Sequence, residues 1–127
     1  MPGDGGNQLY AKLNKSSSSH YYCKLKTSDY FELWLNLEEI TPYVIQCLVE
    51  NLKLDYNNQT RETLNSPGVD IRIVNFGQTD TVEYIDSSKI SLSTYFGAIA
   101  NALVTKAKYV RNLNIRGAPY DWRKGIF

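Results

Sequence analysis

The sequence predicts an α/β domain on three observations: a helical apolar stripe from residue 44 to 52, an alternating stretch from 69 to 73, and a second helical pattern near 92–108 leading into another strand. Strand, helix and strand in that order favour a sheet that is at least partly parallel. The 127 residues form a single domain of ordinary size, and no internal repeat divides it.

Taken in order, Gly3-Asp4-Gly5-Gly6-Asn7 reads as a loop, because three glycines in four positions sustain neither helix nor strand. Judged by composition alone, it is a frayed tail. The Ser-rich run from Lys15 to His20 reads as a surface connection. Phe31, Leu33, Trp34, Leu35 and Leu37 crowd together next. Thr41-Pro42 predicts a helix start, a capping hydroxyl followed by proline at the first helical position. Val44, Ile45, Leu48, Val49 and Leu52 follow at helical spacing, with Gln46, Glu50 and Lys53 off the stripe. Such a stripe faces either a core or a lipid surface.

Asn65-Ser66-Pro67-Gly68 is a turn cluster. Beyond it Val69, Ile71 and Ile73 alternate with Asp70 and Arg72, which predicts a strand. Gly77-Gln78-Thr79-Asp80 separates it from a second short strand, Thr81 to Ile85. A helix is expected from about Leu92 to Lys108, with Leu92, Tyr95, Phe96, Ile99 and Leu103 on one face. Ser91 would cap its start, and Lys106 and Lys108 would sit at its negative end. Leu113, Asn114 and Ile115 predict the last strand, which runs into Arg116-Gly117-Ala118-Pro119-Tyr120-Asp121-Trp122-Arg123.

Composition excludes several classes. Hydrophobic residues at 43% and charged residues at 21% describe a globular chain rather than a disordered one. A net charge of +1 gives no electrostatic footprint for nucleic acid. No apolar run approaches the roughly 20 residues needed to span a bilayer. The opening residues contain neither the basic nor the apolar segment of a signal peptide. Yet Asn14-Lys15-Ser16 and Asn58-Gln59-Thr60 are glycosylation sequons. Cys23 and Cys47 fit either a disulfide or two buried thiols. Export chemistry without an export signal suggests a missing start.

No catalytic constellation is legible. A serine hydrolase needs a nucleophile, a base and an orienting acid, and the Gly-x-Ser-x-Gly elbow is absent. The single histidine, His20, lies in the Ser-rich connection and reads as a surface residue. Two cysteines and one histidine give no metal-ligand spacing. The glycine loop lacks the Gly-Lys-Ser/Thr ending of a phosphate loop. Neither metal nor cofactor is expected.

Pro2-Gly3-Asp4-Gly5-Gly6-Asn7-Gln8-Leu9, followed by Ala11-Lys12-Leu13, resembles the opening of the lecithin–cholesterol acyltransferase family. Lys26-Thr27, Trp34-Leu35-Asn36-Leu37, Cys47, Pro67-Gly68-Val69, Phe76-Gly77-Gln78-Thr79 and Ala118-Pro119-Tyr120-Asp121-Trp122-Arg123 continue the resemblance in collinear order. It is strongest to the lysosomal phospholipase A branch, which also transfers acyl groups to ceramide.

The resemblance implies part of an α/β-hydrolase fold whose Ser-Asp-His triad lies C-terminal to this segment. It also implies a buried apolar strand ahead of Pro2, so the chain reads as an N-terminal fragment that is inactive alone. Unpaired sheet edges would leave such a fragment unstable or prone to aggregate. The backbone around Asp4 would supply one oxyanion-hole N–H; at the next position the family carries leucine and this chain carries Gly5. Cys23 and Cys47 would close a membrane-contact insertion spanning about 23–55, with Trp34, Leu35, Ile40, Val44, Ile45 and Leu48 in or beside the lipid-facing part. Glycans are expected at Asn14 and Asn58, although the family sequon sits one residue before Asn58. The implied partners are a glycerophospholipid membrane surface or lipoprotein and a lipid alcohol that accepts the acyl chain. The implied location is lysosomal or extracellular. Asp4 would oppose oxyanion charge unless protonated or turned away, which implies a preference for acid. The alternative is a non-catalytic short product that at most binds lipid.

Overall fold

The computed structural model describes residues 1–125. Its strands are β1 (Leu9–Leu13), β2 (Phe31–Trp34), β3 (Leu54–Asn57), β4 (Glu62–Asn65) and β5 (Val69–Arg72). Its helices are α1 (Ile45–Leu52), the short α2 (Asp80–Glu83) and α3 (Gly97–Ala107), with 3₁₀ turns at Leu37–Ile40 and Ser91–Ser93. β1 is the centre of a three-stranded sheet, order β2-β1-β5, and β3 and β4 form a separate hairpin. The architecture is mixed α/β with two small sheets and one disulfide.

β1 organises the core because its side chains alternate. Leu9, Ala11 and Leu13 are buried while Lys12 is exposed. Ala11 meets Leu33 of β2 and Leu48 of α1, and Phe31, Leu52 and Ile71 pack around them. Full burial of a leucine side chain stabilises by about 1.5–3 kcal/mol, so Leu9, Leu33 and Leu48 anchor this layer. β1 pairs antiparallel with both neighbours, matching Ala11 with Phe31 on one side and with Ile71 on the other.

The strand at Val69 forms as expected, but several other expectations fail for identifiable reasons. The sheets are antiparallel, not partly parallel: β1 pairs antiparallel with both β2 and β5, and β3 with β4, although α1 lies in the chain between β1 and β5. α1 starts at Ile45 rather than at Pro42, because Tyr43 sits in the left-handed region (φ 78°) and interrupts any helix from Thr41. Residues 80–83 are helical, not a strand, and Thr81, Val82 and Glu83 are all buried, which removes the alternation a half-buried strand requires. Leu113–Ile115 belongs to a turn. Asn112 is left-handed (φ 64°) and donates to the Ile115 carbonyl at 2.9 Å, and Asn114 Oδ1 accepts from the Val110 N–H at 2.6 Å.

The helix expected over 92–108 begins only at Gly97, and the inward face is not the apolar stripe. Gly97 and Ala100 are buried, whereas Leu92 is 88% and Ile99 57% exposed. Small residues let the helix lie close to the end of α2; a Cβ at Gly97 would meet Thr94 Cγ2 at 2.9 Å and the Glu83 carbonyl at 3.5 Å. Lys106 occupies the last turn and Lys108 caps it in the left-handed conformation (φ 62°). The expected cap at Ser91 concerns a side chain outside the described atoms. Lys15, read as part of a surface connection, is buried.

Candidate oxyanion loop and its supports

The glycine loop is built, not frayed. Gly6 N–H donates to the Gly3 carbonyl at 3.0 Å, closing a tight turn around Asp4 and Gly5. Gly5 occupies the left-handed region (φ 69°), where glycine carries no Cβ penalty. Its carbonyl accepts a hydrogen bond from Trp34 Nε1 at 2.8 Å. A side chain at Gly6 has no room: an added Cβ would lie 2.8 Å from Pro2 Cβ and from Tyr95 Cε1, and 2.9 Å from the Gly3 carbonyl oxygen. Gly6→Ala is therefore expected to destabilise by about 1–3 kcal/mol through overpacking, read as a lower urea midpoint. An unchanged midpoint would show that Pro2 and Tyr95 yield without cost.

Asn7, fully buried, ties this loop to the far end of the chain. Its Nδ2 donates to the Gln8 carbonyl at 3.0 Å and the Tyr120 carbonyl at 3.1 Å. Its Oδ1 accepts from the Tyr120 N–H at 3.2 Å, and its carbonyl accepts from Trp122 Nε1 at 3.2 Å. Trp122 meets Trp34 edge to face at 5.2 Å, so both indoles brace the loop from one side. Gln8 adds a bond from Nε2 to the Tyr84 carbonyl at 3.0 Å. Among the described residues, the N–H groups of Asp4 and Gly5 make no hydrogen bond within the chain. The loop thus leaves two adjacent backbone N–H groups unpaired among the described residues, on a frame held by Trp34 and Asn7.

Asp4 is exposed, and its Oδ1 lies 3.5 Å from the Tyr120 hydroxyl. Partial burial pushes the Tyr120 hydroxyl above its ordinary value, and the Asp4 charge pushes it further the same way.

The frame continues through Arg123, whose side chain is 4% exposed. Its guanidinium holds Asp121 through two bonds of 2.8 and 2.6 Å, and donates to Asn65 Oδ1 at 2.8 Å and the Leu52 carbonyl at 3.3 Å. It joins the glycine loop's partner segment to α1 and the hairpin.

The disulfide forms between Cys23 and Cys47, with Cα atoms 5.4 Å apart. It fastens the segment before β2 to α1. Of the residues expected to face lipid, Ile40, Val44 and Ile45 are 39%, 36% and 38% exposed, and Tyr43 and Val49 join them at 79% and 58%. Leu48 departs from that expectation: it packs in the core beneath β1. Trp34 and Leu35 are half-buried, with the Trp34 indole committed to Gly5 and Trp122 and the Leu35 N–H to the Ile85 carbonyl at 2.7 Å. Asn14 and Asn58 are both exposed. His20 is partly buried and stacks on Tyr22 at 5.2 Å.

Glu32, beside the site on β2, adds a pH-dependent element. Burial pushes its carboxyl above the ordinary value and Asp86 adds to this, against hydrogen bonds from Ser87. A carboxyl raised on folding binds its proton more tightly in the native state, so Glu32 lowers stability as pH climbs through the carboxylate range. Glu83 behaves oppositely: burial pushes it up, but bonds from Arg111 at 2.7 and 2.9 Å bring it below the ordinary value. Glu32→Gln is expected to raise the urea midpoint at about pH 7 and to leave it unchanged at about pH 4. An equal effect at both values would remove Glu32 from this account.

A sequence model of the family described as Lecithin:cholesterol acyltransferase matches residues 30–126, and the chain belongs to that family. It is 47% identical over 124 residues to the lysosomal phospholipase A and acyltransferase of Canis lupus familiaris, covering 98% of this chain and 30% of that protein. The Homo sapiens protein of that name matches to the same extent. The phosphatidylcholine-sterol acyltransferase of Gallus gallus is 45% identical over 125 residues, covering 98% and 30%. The chain thus spans 30% of the length of these relatives.

Asn7, Tyr120, Trp122 and Arg123 were legible only as members of matching stretches, because no local pattern announces a bond between residues 113 apart. The one signal was the pairing of an asparagine after glycines with a distant Tyr-Asp-Trp-Arg run.

Proposed function

We propose that this chain is the N-terminal part of an α/β-hydrolase domain in a phospholipase and O-acyltransferase acting on glycerophospholipids. The observation that carries the reading is the braced glycine loop, with the Asp4 and Gly5 N–H groups free and the carbonyl of Gly5 held by Trp34. In the whole enzyme a serine supplied outside this segment attacks the ester carbonyl, and the loop stabilises the oxygen as it gains charge. The acyl group then passes to water or to a lipid alcohol. Ile40, Tyr43, Val44, Ile45 and Val49 form the membrane-contact face of the 23–55 insertion, and Leu48 supports it from below. A lysosomal or extracellular setting is supported by the names of the relatives and by the disulfide.

The test is an assay of the full-length gene product on phosphatidylcholine vesicles containing a long-chain alcohol lipid. Release of fatty acid together with acylation of the alcohol is expected. Vesicle binding without either product would favour the second reading, a non-catalytic lipid-binding protein. Asp4, exposed next to the free donors, opposes the developing charge when ionised. Asp4→Asn is therefore expected to raise the rate of acyl release at about pH 7 a few-fold. An unchanged rate would dismiss this role.

A further inference from the structure

We propose that Asn14 carries an N-linked glycan in the mature protein, on the outward face of the sheet at the end of β1. The argument begins with register. The alternation of β1 continues past its end: Leu9, Ala11, Leu13 and Lys15 turn inward, while Lys12, Asn14 and Ser16 are exposed. Both residues of the sequon that take part in recognition, Asn14 and Ser16, therefore share the solvent face, and the intervening residue alone points in.

Lys15 fixes that orientation. Its ammonium, on a side chain 3% exposed, donates to Asn51 Oδ1 at 3.0 Å and lies 3.6 Å from Glu50 Oε2. Glu50 is itself held by Ser18 Oγ at 2.5 Å and the Ser19 N–H at 3.3 Å. A slip of one residue would expose this satisfied ammonium's partners and bury Asn14, so the register is strongly specified. The backbone is pinned on both sides. Asn14 N–H donates to the Gly68 carbonyl at 2.7 Å, Lys15 N–H to the Leu25 carbonyl at 2.8 Å, and Thr27 N–H to the Leu13 carbonyl at 3.0 Å. With its N–H so bonded, Asn14 makes no side-chain hydrogen bond among the described residues. Attaching a bulky polar group there breaks no contact of the fold.

The modification joins Asn14 Nδ2 to the anomeric carbon of an oligosaccharide carried on a lipid-linked pyrophosphate. The sugar–oxygen bond breaks, its electron pair leaves with the pyrophosphate, and the amide nitrogen loses one proton. Transfer takes place before the chain folds. What the fold decides is whether the product is tolerated, and an outward, unbonded amide on a pinned backbone meets that condition. Asn58 is a different kind of site. It lies exposed at the tip of the β3–β4 hairpin, beside Asn57, whose Oδ1 accepts from the Gln59 and Thr60 N–H groups at 2.9 and 3.2 Å. It provides an internal reference for passage through the secretory route.

This inference rests on the proposed lysosomal or extracellular setting. The experiment is peptide mapping of the full-length gene product from animal cells, with and without the amidase that releases N-glycans and leaves aspartate at the attachment site. Enzymatic conversion of position 14 is expected in most molecules, abolished by Ser16→Ala and preserved by Ser16→Thr. An unmodified Asn14 in protein whose Asn58 is modified, or whose Cys23–Cys47 bond is formed, would overturn it. So would an unmodified chain with free thiols, which would also remove the compartment. The vesicle assay above reports separately on acyl transfer, because Asn14 takes no part in the hydrogen bonds of the glycine loop.

Discussion

Arg123→Ala is expected to lower stability by about 3–5 kcal/mol, the cost of removing one partner from a buried ion pair. The magnitude follows from what is left behind. Asp121, on a side chain 17% exposed, would lose the guanidinium that now holds it through two bonds. Asn65 Oδ1 and the Leu52 carbonyl would each lose a donor. Arg123→Lys keeps the charge but not the planar fork that reaches three partners, so it should fall between wild type and the alanine variant. Urea unfolding of the three proteins orders them directly. A loss under about 1 kcal/mol for Arg123→Ala would mean that water replaces the guanidinium and that the latch is not buried in solution. The effect should also reach the glycine loop, since Tyr120 and Trp122 hold Asn7 from the same short segment.

Replacing Cys23 and Cys47 together by serine is the second large effect, expected to cost about 3.5 kcal/mol by the loop-closure argument for a crosslink 24 residues apart. The loop holds β2 and the 3₁₀ turn, and its closure sets where Val44 and Ile45 emerge. Two measurements separate stability from docking. Urea unfolding with and without reductant gives the stability term in the wild-type protein. Vesicle binding by the double variant, at a temperature where it stays folded, tells whether the closed loop is needed for the apolar face to meet lipid. A midpoint insensitive to reductant would leave the crosslink without a structural role.

The family was readable from residues alone, because its short stretches occur in one order along the whole chain. So was the strand at Val69, whose alternation is carried by one half-buried face. The site was less readable. The glycine run looked like a tail because composition reports freedom and not restraint. Only the fold supplies Trp34, Asn7 and Trp122 as restraints. After residue 80 the two expected strands are a short helix and a turn, and α3 forms but starts later than its pattern, because local pattern and packing disagree there. In α3 the inward face is built from glycine and alanine, which carry almost no apolar signal, while the conspicuous stripe of Leu92 and Ile99 faces outward.

Sequence by itself determined the family, the position of the glycine loop and the sequons, because each is a matter of residue identity and order. Tertiary structure decided which residues hold that loop, that the Cys23 and Cys47 thiols are bonded, that Leu48 packs in the core and not on the exposed apolar face, and that Lys15 turns inward while Asn14 turns out. The physical reason is range. A motif is written in neighbouring residues, whereas burial and hydrogen-bond partnership join residues as far apart as Asn7 and Tyr120, which no local periodicity encodes.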